Sequence, residues 1–302
     1  MAESPAITEY ENDGLRLTLV APPGDLAPYL SGYYRTEVAP GTIIEDFLPP
    51  EEGNLRVGKA EIYEACIGTC APEPVPPAII SGSTNCVTHL RISNGVFWGI
   101  GITPAGWARL LSVPADEMAN RFADVHSSSI DSSIKSMMET LLADADDVAA
   151  AAERITTCFR ALLGNRPHVE STIHAVHLSL LSEDANSVNG LATLAGMTPR
   201  TFERFSKRHF GFPARSLLKR QRFLRSLGKY MLDPSMKWIS ALDTHYWDQA
   251  HFIRDFKATM GMTPSDYAEL PHPVVRAAVS VTSQRAGVAH QALYRPGAAL
   301  DE

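Results

Sequence analysis

Cysteine is scarce in this chain of 302 residues, which contains only four. Four thiols in a chain of this length do not make a disulfide scaffold, and we expect them to be reduced. No run approaches about 18 consecutive apolar residues, so no membrane-spanning helix is expected. The first 20 residues lack a basic segment followed by an apolar one, so we expect no secretory signal. A P-loop, a nucleophile elbow and a complete dinucleotide-binding glycine motif are also missing, and no motif therefore favours an enzyme.

Groups of residues with the spacing of metal ligands are also scarce. Cys66, Cys70, Cys86 and His89 form the one group with metal-like spacing, and four such ligands could hold zinc. The two pairs fall in a strand-rich region, where alternation sends neighbouring side chains to opposite faces. We therefore expect buried free thiols there, and neither a metal nor a cofactor.

Charge is distributed unevenly along the chain. The formal net charge is −7, yet residues 183–270 carry 13 Lys and Arg against 9 Asp and Glu. Within residues 199–229 ten basic residues face a single acidic one, Glu203. A basic stripe of this kind is either a solvated helix face or the footprint of a polyanion site.

The pattern of turns and apolar runs predicts an α+β multidomain protein. Residues 1–22 are expected to be a polar lead-in, and residues 23–114 a β-rich barrel or sandwich, because short apolar runs alternate with Gly and Pro. Residues 115–166 are Ala-rich with few breakers, which predicts a helical linker. Residues 168–270 read as an all-α domain of short helices, and residues 271–302 as a partly ordered tail.

A repeat at an offset of 50 residues is the most informative feature. The pattern Phe-x-Arg-x-x-Lys-x-x-x-Gly occurs at residues 202–211 and again at residues 252–261. Before the first copy, Ser187 suits an N-cap, Gly196 a turn with positive φ, and Thr198 with Pro199 the start of a second helix. Two short helices across a tight turn predict a helix-turn-helix.

An apolar stripe between the two copies predicts one long connecting helix over residues 215–232. Such a rod can hold two recognition helices at a fixed separation. To read one face of B-DNA, the two helices must lie roughly 34 Å apart, which is one helical turn.

These residues resemble the DNA-binding domain of AraC/XylS-type regulators over about 168–270. The matching stretches include Met197-Thr-Pro-Arg-Thr-Phe-Glu-Arg-Phe205 and Trp247-Asp-Gln-Ala-His-Phe-Ile-Arg-Asp-Phe-Lys257. Residues 24–125 resemble more weakly an amino-terminal domain of some such regulators. The resemblance implies two helix-turn-helix units that bind duplex DNA.

Two positions depart from the family pattern. Ser206 stands where a large apolar residue is usual, so altered packing is expected in the first unit. His245 stands where the second unit usually has its turn glycine, and residues 238–244 match the preceding helix poorly. The scaffold helix of the second unit is therefore expected to be short or shifted.

The resemblance implies a role for each exposed residue of the two recognition helices. Arg200, Glu203 and Arg204 map to base-reading positions, since Arg can donate two hydrogen bonds to guanine and Glu can accept one from cytosine. Asp248 is expected to be an N-cap. Lys207, Lys219 and Lys257 are candidates for phosphate contacts. The full set of predicted DNA-binding residues is Arg200, Thr201, Glu203, Arg204, Lys207, Lys219, Trp247, Gln249, Ala250, His251, Arg254 and Lys257.

The sequence therefore predicts a transcriptional regulator that binds specific double-stranded DNA and is not an enzyme. We expect a small-molecule effector in the amino-terminal domain and a homodimer formed through residues 115–166. RNA polymerase is a further candidate partner, and the expected location is the cytoplasm of a bacterial-type cell, at the nucleoid. Two alternatives remain open: an enzyme whose β barrel is catalytic, and a ligand-free architectural DNA-binding protein.

Overall fold

A computed structural model of the chain describes residues 6–111, 113–143, 147–164, 170–182 and 187–286. Within these ranges an amino-terminal β-rich part is followed by helices. The strands are β1 (Ile7–Asn12), β2 (Leu15–Val20), β3 (Leu30–Leu48), β4 (Gly53–Ile67), β5 (Glu73–Pro74), β6 (Ala78–Ser81), β7 (Thr88–Ile102) and β8 (Phe122–Asp124). The helices are α1 (Pro104–Leu110), α2 (Ser132–Ala143), α3 (Val148–Leu163), α4 (Ser171–Leu181), α5 (Val188–Leu194), α6 (Pro199–Phe210), α7 (Ala214–Leu232), α8 (Trp238–Ala241), α9 (Gln249–Met260), α10 (Pro264–Ala268) and α11 (Pro273–Ala286), with a 3₁₀ turn at Ala115–Glu117.

The strands form one antiparallel sheet in the order β1-β2-β3-β7-β4-β6-β8, with β5 paired to β4. The long strands β3, β4 and β7 make its centre. Their alternating side chains divide the sheet into two faces, because successive residues of a strand point in opposite directions. The α+β class expected from the sequence, with a helical region after the sheet, is confirmed.

One face of the sheet shares its core with the first helix-turn-helix unit. Tyr33 and Trp98 from this face belong to the same buried cluster as Phe159 of α3. Phe202 and Phe210 of α6 lie in that cluster as well. The β-rich region and the first unit are therefore packed together.

The second helix-turn-helix unit and the other sheet face have their own cores. Phe223, Phe252 and Phe256 centre the core of the second unit. Leu17, Ile92 and Phe97 belong to the core on the other sheet face. Residues of α11 enter both of these clusters, so α11 lies between them.

Both ends of the chain differ from the sequence expectation. Residues 1–22 include the paired strands β1 and β2, so this segment is more than a polar lead-in. In the segment 271–302, residues 273–286 form helix α11, which packs on the sheet and on α7. The boundaries expected at residues 166 and 168, and the tail from residue 287 onward, lie outside the described residues. Among the described residues, no helix combines the length and apolar character that a membrane crossing needs.

The expectation of four reduced thiols is corrected for one pair. Cys66 and Cys70 form a disulfide, and Cys86 and Cys158 are free. The two bonded cysteines lie four residues apart, at the end of β4 and in the turn that follows. The Cα–Cα distance of 5.9 Å is within the usual range for a disulfide, so the local chain path allows the bond. Spacing alone did not indicate this, because a separation of four also suits metal ligands.

Candidate nucleic-acid interface

The first unit is built by local capping signals. The Ser187 hydroxyl accepts a hydrogen bond from the Gly190 amide at 3.1 Å and starts α5. Gly196 takes a φ of +65° in the turn, a conformation that costs glycine little. Thr198 then caps α6 by accepting from the Thr201 amide at 3.2 Å, and Pro199 occupies the first helical position. The helix-turn-helix predicted from these residues is confirmed.

Ser206 has a definite structural role on the buried side of α6. Its hydroxyl is fully buried and donates a hydrogen bond to the Phe212 carbonyl oxygen at 2.6 Å. Phe202 and Phe210 fill the core on either side, one turn away in each direction. A serine is accommodated here because it binds the chain just after the helix, which ties the end of α6 to the start of α7.

The opposite side of α6 is basic and solvent-facing. Arg200, Arg204 and Lys207 are exposed there, as predicted from the helical spacing. Glu203 accepts from the Ala214 amide at 3.4 Å, and its other oxygen lies 3.9 Å from the Lys207 ammonium group. Thr201 is exposed, and its hydroxyl lies 3.0 Å from that of Thr198 within the cap.

The second unit has a short scaffold helix, as expected from residues 238–244. Helix α8 contains only four residues. Trp238 at its start stacks on Tyr230 of α7 with a centroid distance of 3.7 Å. An aromatic contact of this kind buries area that a longer helix would otherwise supply.

His245 stands at the position of the usual turn glycine. It contacts Asp243, which also binds Arg225. Its backbone amide donates to Asp243 at 2.9 Å, and its ring Nδ1 lies 2.9 Å from the same oxygen. Arg225 donates to the other carboxylate oxygen of Asp243 at 2.5 Å. Burial acts to raise the pKa of Asp243, but the bonds from Arg225 and His245 outweigh it, so this pKa is lowered.

Helix α9 also presents an exposed face. Asp248 accepts from the His251 amide at 2.6 Å and caps the helix, as predicted. Gln249, Ala250 and Arg254 are exposed on the solvent side, together with Lys257. Trp247, immediately before the cap, has a relative exposure of 93%.

Lys219 and His251, which were both predicted to contact DNA, bind other side chains of the protein. The Lys219 ammonium group lies 3.2 Å from Asp255 of α9, and Arg222 donates to the same carboxylate at 2.7 Å. The His251 ring lies 3.3 Å from the Arg222 guanidinium group. Lys219 and His251 therefore help to fix α9 on α7, and each remains only partly exposed.

The basic residues within residues 199–229 differ widely in exposure. Arg220 is buried and donates to the Thr84 carbonyl oxygen at 3.2 Å, while Arg225 is buried against Asp243. Arg208 and Arg215 are exposed and add positive charge near the recognition helices, although the sequence analysis gave them no role. The sequence did not show which of these basic residues would be buried, because the groups that bind the buried ones lie up to 136 residues away along the chain.

Part of the helical region matches a known protein family. Residues 191–269 match the family model described as "Helix-turn-helix domain". This segment is a helix-turn-helix domain. The AraC/XylS-type resemblance found in the sequence is confirmed over this segment. No curated protein matches the chain in sequence.

Several solved structures resemble the chain at low identity. ToxT from Vibrio cholerae is 12% identical, covering 78% of this chain and 96% of that one, with a TM-score of 0.43. An apo ToxT variant from the same organism is 10% identical over 85% and 98% of the two chains, with a TM-score of 0.42. The AraC-like transcriptional activator CuxR is 11% identical over 74% and 86%, with a TM-score of 0.29.

Proposed function

We propose that the protein is a transcriptional regulator that binds specific sequences of double-stranded DNA. The observation that carries this proposal is the helix-turn-helix domain, whose two recognition helices expose basic faces. Exposed arginines on such helices match the hydrogen-bonding edge of guanine in the major groove. Residues 183–270 carry a net charge of +4 and the rest of the chain −11, so the helix-turn-helix region is the part of the protein that attracts a polyanion.

We assign base contacts to Arg200, Glu203 and Arg204 on α6. On α9 the corresponding residues are Gln249, Ala250, His251 and Arg254. Gln249 can pair with adenine, and Ala250 can contact a thymine methyl group. We assign phosphate contacts to Lys207, Lys219 and Lys257, with Thr201 and Trp247 at the edge of the interface.

Direct titration of duplex DNA tests the proposal. The sites bound in the genome of the source organism are mapped first, and one of them is titrated against a scrambled duplex. We expect the bound site to be favoured by about a thousandfold or more, with affinity falling steeply as salt rises. Equal, salt-independent binding of both duplexes would show that the domain does not act as proposed.

We also propose that a small molecule controls the protein through its amino-terminal region. Support comes from a large, partly open cavity of about 1850 Å³ along the sheet. Its lining surface is mainly apolar and also includes polar and charged side chains such as Asn54, Glu51 and Arg56, a combination that can both hold and orient a small molecule. A filled sheet face would instead have favoured the architectural alternative.

A homodimer is the expected assembly, with the outer surface of α2 and α3 as its interface. The larger apolar residues of these helices, such as Met138 and Phe159, are buried within the chain, so the outer surface is mainly polar. We expect sedimentation of the full chain to give a dimer at micromolar concentration. Thr157→Arg, at an exposed position of α3, should shift it to a monomer, whereas Thr193→Arg on α5 should not.

A chain that stays monomeric at every concentration would contradict the dimer. If Thr157→Arg remains dimeric, the interface lies elsewhere. We propose that the dimer acts on RNA polymerase at the nucleoid, in the cytoplasm.

A further inference from the structure

Helix α11 connects the sheet to the second helix-turn-helix unit. Val275 and Val279 pack in the core of that unit, with Phe223 of α7 and Phe256 of α9. Ala277 and Val281 pack in the core of the sheet. Because these positions alternate along the helix, α11 has apolar contacts on two sides, and a movement of this helix affects both cores.

A buried carboxylate on the sheet holds the start of α11. The side chain of Asp46 in β3 is fully buried and accepts from the amides of Val274 and Val275, at 2.8 and 3.0 Å. Its other oxygen lies 3.0 Å from His272 Nδ1. His272 in turn stacks on Tyr267 of the second unit. This anchor connects the sheet, α11 and the second unit.

Part of the large cavity lies between α11 and the sheet. Val274, Ala278 and Val281 line it from the helix, while Leu17 and Phe97 line it from the strands. Every residue in the described part of α11 is small or medium-sized on this side, so the helix leaves space above the sheet. The site therefore has a wall that belongs to the helical region.

The sheet side of this cavity is shaped by glycines. The Tyr34 ring lies against Gly99, where a Cβ would be only 1.9 Å from the ring carbon Cζ. The Phe97 ring lies over Gly58 in the same way, with a Cβ at 2.3 Å. Side chains at these positions would push the aromatic rings into the cavity, so the glycines keep it open.

Arg56 is the centre of a polar cluster on the sheet side of the cavity. Arg56 donates to Glu51 at 2.6 Å, to the Tyr34 hydroxyl at 2.8 Å and to Ser81 at 3.1 Å. Burial acts to lower the pKa of Arg56, but Glu51 outweighs it and the pKa is raised. Burial also raises the pKa of Tyr34. Arg56 is therefore charged and already paired, so an anionic ligand would have to displace Glu51.

We propose that this cavity binds a neutral, largely apolar molecule and that α11 transmits its presence to the second helix-turn-helix unit. The inference rests on the proposed function and specifies its effector class and its route. A ligand in contact with Val274, Ala278 and Val281 changes the position of α11, because the helix is part of the cavity wall. Val275 and Val279 then transfer that change to the core that supports α9.

A pair of matched dyes tests the ligand class. N-phenyl-1-naphthylamine is neutral, and 1-anilinonaphthalene-8-sulfonate adds a sulfonate to the same ring system. We expect the full-length protein to bind the neutral dye about tenfold or more tightly than the anionic one. The two cations among the described lining residues, Arg56 and Arg160, are already paired with Glu51 and Asp25, so the sulfonate would have to displace a carboxylate. Ala278→Phe, which occupies the part of the cavity beside α11, should weaken binding of the neutral dye, and Arg276→Ala on the exposed side of α11 should not.

Absence of neutral-dye binding, equal affinity for both dyes, or full binding by Ala278→Phe would each overturn the site. A thermal scan verifies that the variant is folded. Ala278→Leu fills less space, and it replaces the phenylalanine variant in the same test if that variant does not fold.

Duplex affinity with and without the neutral dye tests the transmission. At saturating dye we expect the affinity for the bound site to change by about fivefold or more, the usual range for coupled sites. Val279→Ala, on the side of α11 that faces the second unit, should keep dye binding within about twofold but reduce this change. An unchanged duplex affinity in the wild type, or full coupling in Val279→Ala, would refute α11 as the route. Loss of all duplex binding with intact dye binding would instead refute the proposed function.

Discussion

Arg225→Ala is expected to lower the free energy of unfolding by about 3–5 kcal/mol, the usual cost of removing one partner from a buried ion pair. The side chains of Arg225 and Asp243 are 6% and 5% exposed, and the pair joins α7 to the turn after α8. The variant leaves Asp243 with the Ser226 and His245 contacts but without its buried cation. Urea denaturation followed by circular dichroism measures the change. Arg215→Ala, an exposed arginine of the same helix, is the matched control and should change stability little.

The same pair predicts a dependence on pH. The folded-state pKa of Asp243 lies below its ordinary value of 3.8, so the pair stabilises the protein above that value. This contribution is lost as the pH falls through the lower, folded-state pKa. The difference between wild type and Arg225→Ala should therefore be full at pH 7 and shrink below about pH 4. A variant within about 1 kcal/mol of wild type at pH 7 would contradict the assigned role of the pair.

Local signals explain which parts of the helical region could be predicted. The caps of α5, α6 and α9 depend on residues within three positions of each helix start, so Ser187, Thr198 and Asp248 were sufficient to place them. The short α8 followed from a poor match around His245. The resemblance that implies DNA binding also lies in contiguous stretches of this region, so it could be found in the sequence.

Helix α11 shows what local patterns cannot indicate. Its buried residues Val275, Ala277, Val279 and Val281 are spaced by two, because the helix is covered on two sides. A helix with one buried face would repeat every three or four residues, and a segment without that stripe is read as a tail. Its anchor, Asp46, lies more than 220 residues earlier in the sequence. Such a long-range contact leaves no trace in the spacing of the residues around it.

Lys219 also makes a contact that its position in the sequence does not indicate. Its position at the start of the connecting helix suggested a phosphate contact, yet the structure places its ammonium group beside Asp255. Arg222 shares that carboxylate, so Lys219 could exchange Asp255 for a phosphate without leaving the acid unpaired. Loss of Lys219 would therefore affect both the DNA surface and the packing of α9. Lys257 is exposed in the last turn of α9 and is better suited to test a phosphate contact alone.

Arg204→Ala should weaken binding to the specific site far more than binding to scrambled DNA. Arg204 is exposed one turn after Arg200 on the outer face of α6. A bidentate contact with guanine contributes about 1–3 kcal/mol of discrimination, so the ratio of the two affinities should fall by about five- to over a hundredfold. Fluorescence anisotropy with both duplexes at several salt concentrations measures this ratio. Arg276→Ala, an exposed arginine on α11, is the matched control and should leave it unchanged.

Lys257→Ala should weaken DNA binding in a different way from Arg204→Ala, and the comparison distinguishes a base contact from a phosphate contact. A lysine that neutralises one phosphate contributes to every sequence equally, so both affinities should fall together. The slope of log affinity against log salt should decrease by about one, because one fewer counterion is released. If Arg204→Ala and Lys257→Ala both lower the two affinities in parallel, α6 binds the DNA backbone and does not read bases. An unchanged ratio in Arg204→Ala alone, with the salt slope also unchanged, would place Arg204 outside the interface altogether.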